Sequence, residues 1–355
     1  MPMTLRTRKW LPLSILFFAA CDDASVSPKP IPTTLEIPGT YALQSPVDVP
    51  PTVLVTGPAA KFLALLQLLH DDPATGLFAT LDEAGVPLVN DLYGVLPGSL
   101  KDLVRSSIND YMKGRMQGDG GTGSEIDRIL AFANSTLTRF TLKSTLTIPT
   151  GIAQGTVVGT HAIDTLVFEL PGGIPVPVPP EVLQRAMLFP GALQATPTLT
   201  AAGPTQGGDA SLAIGDHFFG LAYGEAIFSA LNGGGTGETL RSRLGGAFDC
   251  PTMGQYVAKR CISILCIGHA SDITEICMRG LDQVVKKIHD QLSGMNFQAL
   301  RFEKGAGALW DAPTTGGERD GLVSRLDHGT WTSTIDVGTG PRACKATFTG
   351  QRRIN

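Results

Sequence analysis

The spacing of apolar positions changes several times along this chain, and each change marks an element. Over 58–69, Phe62, Leu65, Leu66 and Leu69 recur every three or four residues, which predicts an amphipathic helix. Asp72-Pro73 opens a second helix, with an acidic N-cap and proline at the first helical position. From Ser99 onward Leu100, Leu103, Val104, Ile108, Tyr111 and Met112 mark one face of a long helix. Ser124-Glu125 caps another, which carries Ile126, Ile129, Leu130 and Ala133. The period then falls to two. Phe140, Leu142, Ser144, Leu146 and Ile148 alternate with Thr141, Lys143, Thr145 and Thr147, as in a half-buried strand.

Shorter strands are read at 39–43, 156–160, 166–170 and 193–200. Between them Pro171, Pro175, Pro177, Pro179 and Pro180 predict a long surface loop or a seam between domains. The segment 210–231 mixes glycine with apolar residues and fits no single period. Over 274–295, Leu281, Val284, Val285, Ile288, Leu292 and Met295 return to one helical face. The end reads as an antiparallel meander with strands over 299–302, 308–310, 329–337 and 342–350. Trp331 shares a strand face with Ser333, Ile335 and Val337, so it is expected to anchor this sheet against the 274–295 helix. Helices and strands grouped rather than alternating predict an α+β fold. N-terminal amphipathic helices come first, then antiparallel strands, a cysteine-rich helical hairpin and a C-terminal β-meander.

The chain has 42 Gly and 25 Pro in 355 residues and only 6% aromatics, which implies many turns around short elements. Its start has a different character. Residues 1–9 carry Arg6, Arg8 and Lys9 and no acid, and an apolar run over 10–20 ends at Cys21. Such an order is that of an export signal, and its apolar run is too short to span a bilayer. Phe18-Ala19-Ala20-Cys21 resembles the lipobox of bacterial lipoproteins, with Phe18 where Leu is usual. The resemblance implies cleavage before Cys21, acylation of that cysteine (diacylglyceryl, with palmitate among its chains) and attachment of the protein to a membrane of the cell envelope or periplasm. Asp22 resembles the inner-membrane retention signal of enteric bacteria; inner versus outer membrane is left open.

These readings divide the chain into a signal peptide (1–20), a lipidated Cys with a Pro-rich tether (21–34), an α+β domain (35–200) and a cysteine-rich helical region with the meander (201–355). The last two could also form one continuous domain. Loss of three cations with residues 1–20 moves the formal charge from −4 to −7. That balance argues against nucleic acid as a partner and against adsorption to anionic lipid, so attachment would rest on the acyl chains.

Outside the cytoplasm, cysteines read as bridges. Cys250, Cys261, Cys266 and Cys277 are spaced symmetrically about a short middle segment. In a helical hairpin, positions equidistant from the turn face each other, which predicts Cys250–Cys277 and Cys261–Cys266, with Cys344 left as a buried thiol. Zinc is the competing reading because His269 lies near Cys266, but no C-x2-C pair occurs and no metal is expected.

Gly118-Asp119-Gly120-Gly121-Thr122-Gly123 fits G-x-G-x-x-G, yet it follows a helix and lacks the strand that a dinucleotide site needs. Gly-Gly-Thr-Gly followed by Glu238 recurs over 234–238, consistent with a repeated linker and cap. Between Asp311 and Asp320, Gly316 stands where a calcium loop has its glycine, but Pro313, Thr315 and Leu322 occupy ligand positions. No cofactor is therefore expected. Asp216-His217, and Asp164 near His161, could orient a base for a serine, although neighbours on a strand face opposite ways. No catalytic residue is assigned. The leading expectation is a lipid-anchored, non-enzymatic envelope protein that binds a protein or apolar ligand. The alternatives are a tubular-type lipid carrier, with a long amphipathic helix lying in a curled sheet, and a hydrolase whose site is assembled from distant residues.

Overall fold

A computed structural model describes residues 35–85, 97–117, 123–170, 173–204, 208–233, 239–262, 265–266, 269–295, 297–313, 319–336 and 340–353. The signal segment, Cys21, the tether, Gly316 and all but the last residue of the 118–123 glycine motif lie outside the described residues.

Strict alternation builds the framework. In β1 (Gly39–Asp48) Tyr41, Leu43, Ser45 and Val47 are buried, and in β2 (Arg139–Ile148) Phe140, Leu142, Ser144, Leu146 and Ile148 are. The two pair antiparallel from Gly39↔Ile148 to Asp48↔Arg139. β3 (Thr156–Val158) and β4 (Thr160–Leu170) form one run broken at Gly159. His161 at the start of β4 stands opposite Leu146 of β2 on one side and Ala195 of β6 (Gln194–Ala195) on the other. β6 leads into β7 (Thr198–Ala202), which pairs with β3 and with β8 (Ala210–Ile214). β8 and β9 (His217–Leu221) both pair with β12 (Phe297–Trp310). From there the order passes through β13 (Arg325–Ile335) and β14 (Arg342–Arg352) back to β1. Every pairing between these strands is antiparallel, and the ladder closes. Counted by runs, β1, β2, β3–β4, β6–β7, β8–β9, β12, β13 and β14 make an eight-stranded up-and-down barrel.

A barrel of this size has a lumen just wide enough for side chains to fill, and here they fill it. A Cβ on Gly305 would lie 2.1 Å from the Trp331 ring, and one on Gly329 2.4 Å from the Phe348 ring. Glycine at these two places lets large rings occupy the interior. Trp331 is buried and its ring neighbours are His161, His217, Phe302 and Phe348. The expectation that it packs against the 274–295 helix is thus corrected: Trp331 points into the lumen.

The helices enter at one end. α1 (Gly57–Asp71), α2 (Pro73–Glu83), α3 (Gly98–Gln117) and α4 (Gly123–Thr138) are inserted between Asp48 and its partner Arg139. α6 (Tyr223–Leu231), α7 (Leu240–Phe248), α8 (Cys250–Ala258) and α9 (Ala270–Ser293) are inserted between Leu221 and its partner Phe297, and the short α5 (Pro180–Arg185) packs against β4 and α6. α9 is central, packing on α8, α6, α2, α1 and α7 through Leu281, Val284, Ile288 and Leu292. α3 packs on α2, α4 and α8, so this amphipathic helix belongs to the helical layer and does not lie within the sheet. At the opposite end of the barrel the described chain begins and ends. Arg352 Nη1 donates to the Glu36 carbonyl at 3.0 Å, and Tyr41 donates to the Ile37 carbonyl at 2.6 Å. Burial pushes the Tyr41 phenol up to about 12. No described helix is long and apolar enough to cross a membrane.

Several expectations change in detail. Strands from 35–200 and from 201–355 share the one sheet, since β7 pairs with β8 and β1 with β14. In the proline-rich stretch, Pro175 and Pro177 lie in β5 (Ile174–Pro177), which pairs with β4 alone, an edge position where a missing N–H is tolerated. The segments 299–302 and 308–310 are parts of the one strand β12, bulged between Glu303 and Ala308. The tip of the cysteine hairpin is a two-stranded ladder, β10 (Cys261–Ile262) with β11 (Leu265–Cys266), rather than helix.

Candidate functional site

The interior faces of three strands bring Ser144, His161 and His217 together. Ser144 Oγ lies 2.8 Å from His161 Nε2, and His161 Nδ1 lies 2.8 Å from His217 Nε2. His217 Nδ1 is 2.9 Å from the Gly215 carbonyl. A carbonyl can only accept, so His217 carries its proton on Nδ1, and its Nε2 accepts from His161 Nδ1–H. His161 Nε2 is then left to accept from the Ser144 hydroxyl. With both rings neutral this is the one consistent assignment of protons. Burial holds His161 well below the ordinary histidine value, with the neighbouring His217 adding to the effect. Burial also lowers His217, against the opposing pull of the Gly215 bond and the Asp216 charge.

Aromatic rings enclose this chain of hydrogen bonds. Trp331 stacks on His161 at 6.0 Å between centroids, and Phe219 meets it edge-on at 5.1 Å. Phe302 stacks on His217 at 5.6 Å. His161 is 0% exposed and Ser144 1%, so the set is sealed from water. Chemically it is a nucleophile, a base and an orienting group within hydrogen-bond reach. The orienting group is a second imidazole, not the carboxylate that sequence proximity offered. Asp216 accepts from the Lys304 backbone N–H at 3.3 Å, and Asp164 accepts from Thr145 and Arg353 on the outer wall. Three further polar atoms on barrel strands, Ser45 Oγ, Trp310 Nε1 and Trp331 Nε1, are buried without a hydrogen-bond partner.

The other chemistry-bearing residues stand apart. Asp311 is buried; its Oδ2 accepts from the Gly321 N–H at 2.9 Å, and its own N–H donates to Asp209, which pairs with Arg319. His289 and Ser293 both reach Glu225 Oε1, at 3.2 and 3.1 Å, so the carboxylate separates imidazole from hydroxyl. His269 sits exposed at the N-cap of α9, 3.9 Å from Asp272. Among the described residues no group of three His, Cys, Asp or Glu could hold a metal ion. Cys250 is bonded to Cys277 with a Cα separation of 5.6 Å, tying the first residue of α8 to α9. Cys261 is disulfide-bonded and stands opposite Cys266 in the short ladder. Cys344 is a buried free thiol beside Ser333 Oγ, pushed up by burial.

Sequence reasoning selected His161 and His217 but did not join them to each other or to Ser144. A signal was present: Ser144 is the one polar residue on the apolar face of β2, as Ser45 is on β1.

Open space lies elsewhere, in the helical layer. A cleft of about 640 Å³ is walled by α1 through Pro58, Lys61, Ala64, Leu65 and Leu68. Lys287, Asp290, Gln291 and Gly294 at the end of α9 form the facing wall, and Glu83 closes one side by pairing with Lys287. Its volume is that of a small-molecule site. Comparison of the chain with protein families, with curated proteins and with solved structures finds no match.

Proposed function

We propose that this chain is a lipid-anchored protein of the bacterial cell envelope that binds a small ligand without transforming it. The observation that carries the reading is where space and chemistry lie. The cleft between α1 and α9 is open, whereas the serine–histidine chain is sealed inside the barrel. The lipobox-like Phe18-Ala19-Ala20-Cys21 supports the anchor, and the proline-rich 22–34 supports a stiff leash. That leash would join the barrel at the end away from the helices, so the cleft would face away from the bilayer. A lumen filled by Trp331, Phe348, Phe302 and Phe219 has no room for an acyl chain, which weighs against a tubular carrier.

The test of the anchor is Cys21→Ala expressed in a bacterium with lipoprotein processing. The wild-type protein is expected in the membrane fraction with an acylated N-terminal Cys21, and the variant in the soluble or uncleaved pool. A variant that is cleaved normally yet stays membrane-bound would overturn the reading. The hydrolase alternative has one observation in its favour, the direction of the Ser144–His161–His217 chain. A fluorophosphonate probe decides it: the folded protein should remain unlabelled, and labelling at Ser144 would establish the alternative.

A further inference from the structure

The geometry points to the occupant of the α1–α9 cleft: a short apolar peptide or amino acid with both termini free, bound as a zwitterion. This rests on the binding reading above and specifies its ligand. Lys61, Leu65 and Leu68 recur along one flank of α1 at helical spacing, and Lys287, Asp290 and Gly294 recur along one flank of α9. Phe62, Leu66 and Leu69 of α1 and Val284, Ile288 and Leu292 of α9 are turned into the core; Leu65 is buried with them at the floor of the cleft, and Lys61, Leu68 and Asp290 stay accessible. At Gly294 the two walls come together, since a Cβ there would lie 3.2 Å from the Pro58 ring, whereas Ala64 is exposed and small.

Charge selects the ligand. Lys287 is already neutralised by Glu83. Lys61 and Asp290, on opposite walls, have no ion-pair partner among the described residues. A simple anion entering the cleft would be drawn to Lys61 and repelled by Asp290, and a simple cation would meet the reverse. A molecule carrying both charges satisfies both walls at once, its carboxylate on Lys61 and its ammonium on Asp290. The half-buried Leu68 and the Pro58 ring would then take an aliphatic side chain. The space suits a short peptide and is too small for a folded partner.

The experiment is isothermal titration of the protein, residues 22–355, with leucine, Leu-Leu and Leu-Leu-Leu. N-acetyl-leucine amide and octanoate serve as blocked and singly charged controls. At least one free-ended probe is expected to bind, with both controls about tenfold weaker or silent. Lys61→Gln and Asp290→Asn, each at an exposed position, are expected to weaken that probe about tenfold, the scale of one charged hydrogen bond. Ala64→Trp, which fills the cleft, should abolish binding with the melting temperature preserved. Equal binding of free and blocked probes, preference for octanoate, binding indifferent to Lys61→Gln and Asp290→Asn, or silence of every probe would each overturn the inference. The Cys21→Ala fractionation does not depend on any of these outcomes, so the anchor and the ligand fail separately.

Discussion

Two imidazoles kept neutral inside a barrel make stability depend on pH in a defined window. Both His161 and His217 are held below the ordinary value of 6.5. Above that pH both folded and unfolded chains carry them neutral, and the buried network contributes fully. As pH falls through about 6.5 the unfolded chain takes up protons that the folded chain refuses, so stability is lost toward acid. At pH 5.5 a histidine that stays neutral in the fold costs about 1.4 kcal/mol, and His161, held the further below the ordinary value, is expected to carry the larger share of the loss. Asp71 and Asp72 are lowered from 3.8, so their losses come at more acid pH than this window. The assay is urea unfolding at pH 7.5, 6.5 and 5.5, with the denaturant slope checked for constancy. The control is the triple variant Ser144→Ala, His161→Phe, His217→Leu, which removes all three polar partners together and should flatten the dependence. Unfolding free energy that is equal or greater at pH 5.5 than at pH 7.5 would show that the relay is not buried and neutral as described.

Two further outcomes follow from packing and cross-linking. Trp331→Ala should cost ~3–5 kcal/mol, the range for deleting a core aromatic; Gly305→Val should destabilise the wild type but much less the Trp331→Ala background, and additive costs in a double-mutant cycle would mean the two do not touch. Replacing Cys250 and Cys277 by Ala opens a loop with a sequence separation of 27, worth about 3–4 kcal/mol by loop entropy, read as a lower unfolding midpoint; non-reducing peptide mapping should also recover Cys261 joined to Cys266 and Cys344 unpaired.

What could be read from the residues depended on whether a pattern was local. β2 was legible because Thr and Lys fill one face and apolar groups the other. Cys250 and Cys277 were legible because equal arms flank a short middle segment. Closure of the barrel was not, since it needs β1 to meet β14 across about three hundred residues of intervening sequence, which no local pattern reports. β12 was read as two strands because Gly305, Ala306 and Gly307 interrupt its apolar face, and the reason is distant: Trp331 and Phe348 need the space. The serine–histidine chain joins strands far apart in sequence, and only the fold brings them within reach.

The closing seam of the barrel has a kinetic consequence. Among the described strands β1 is made first and β14 last, and Tyr41 finds its neighbour Arg352 only after all the residues between them have been made. Until then β1 and β2 can form a hairpin-like pair only across the whole of α1–α4, and the outer edge of β1 offers unpaired N–H and C=O groups to any passing strand. Such long-range closure predicts slow folding and a prolonged exposure of that edge. The newly made chain is therefore most prone to aggregate between the appearance of β1 and the arrival of β14. A chaperone that shielded the Gly39–Asp48 edge would raise the yield of folded protein more than one acting on the helical layer.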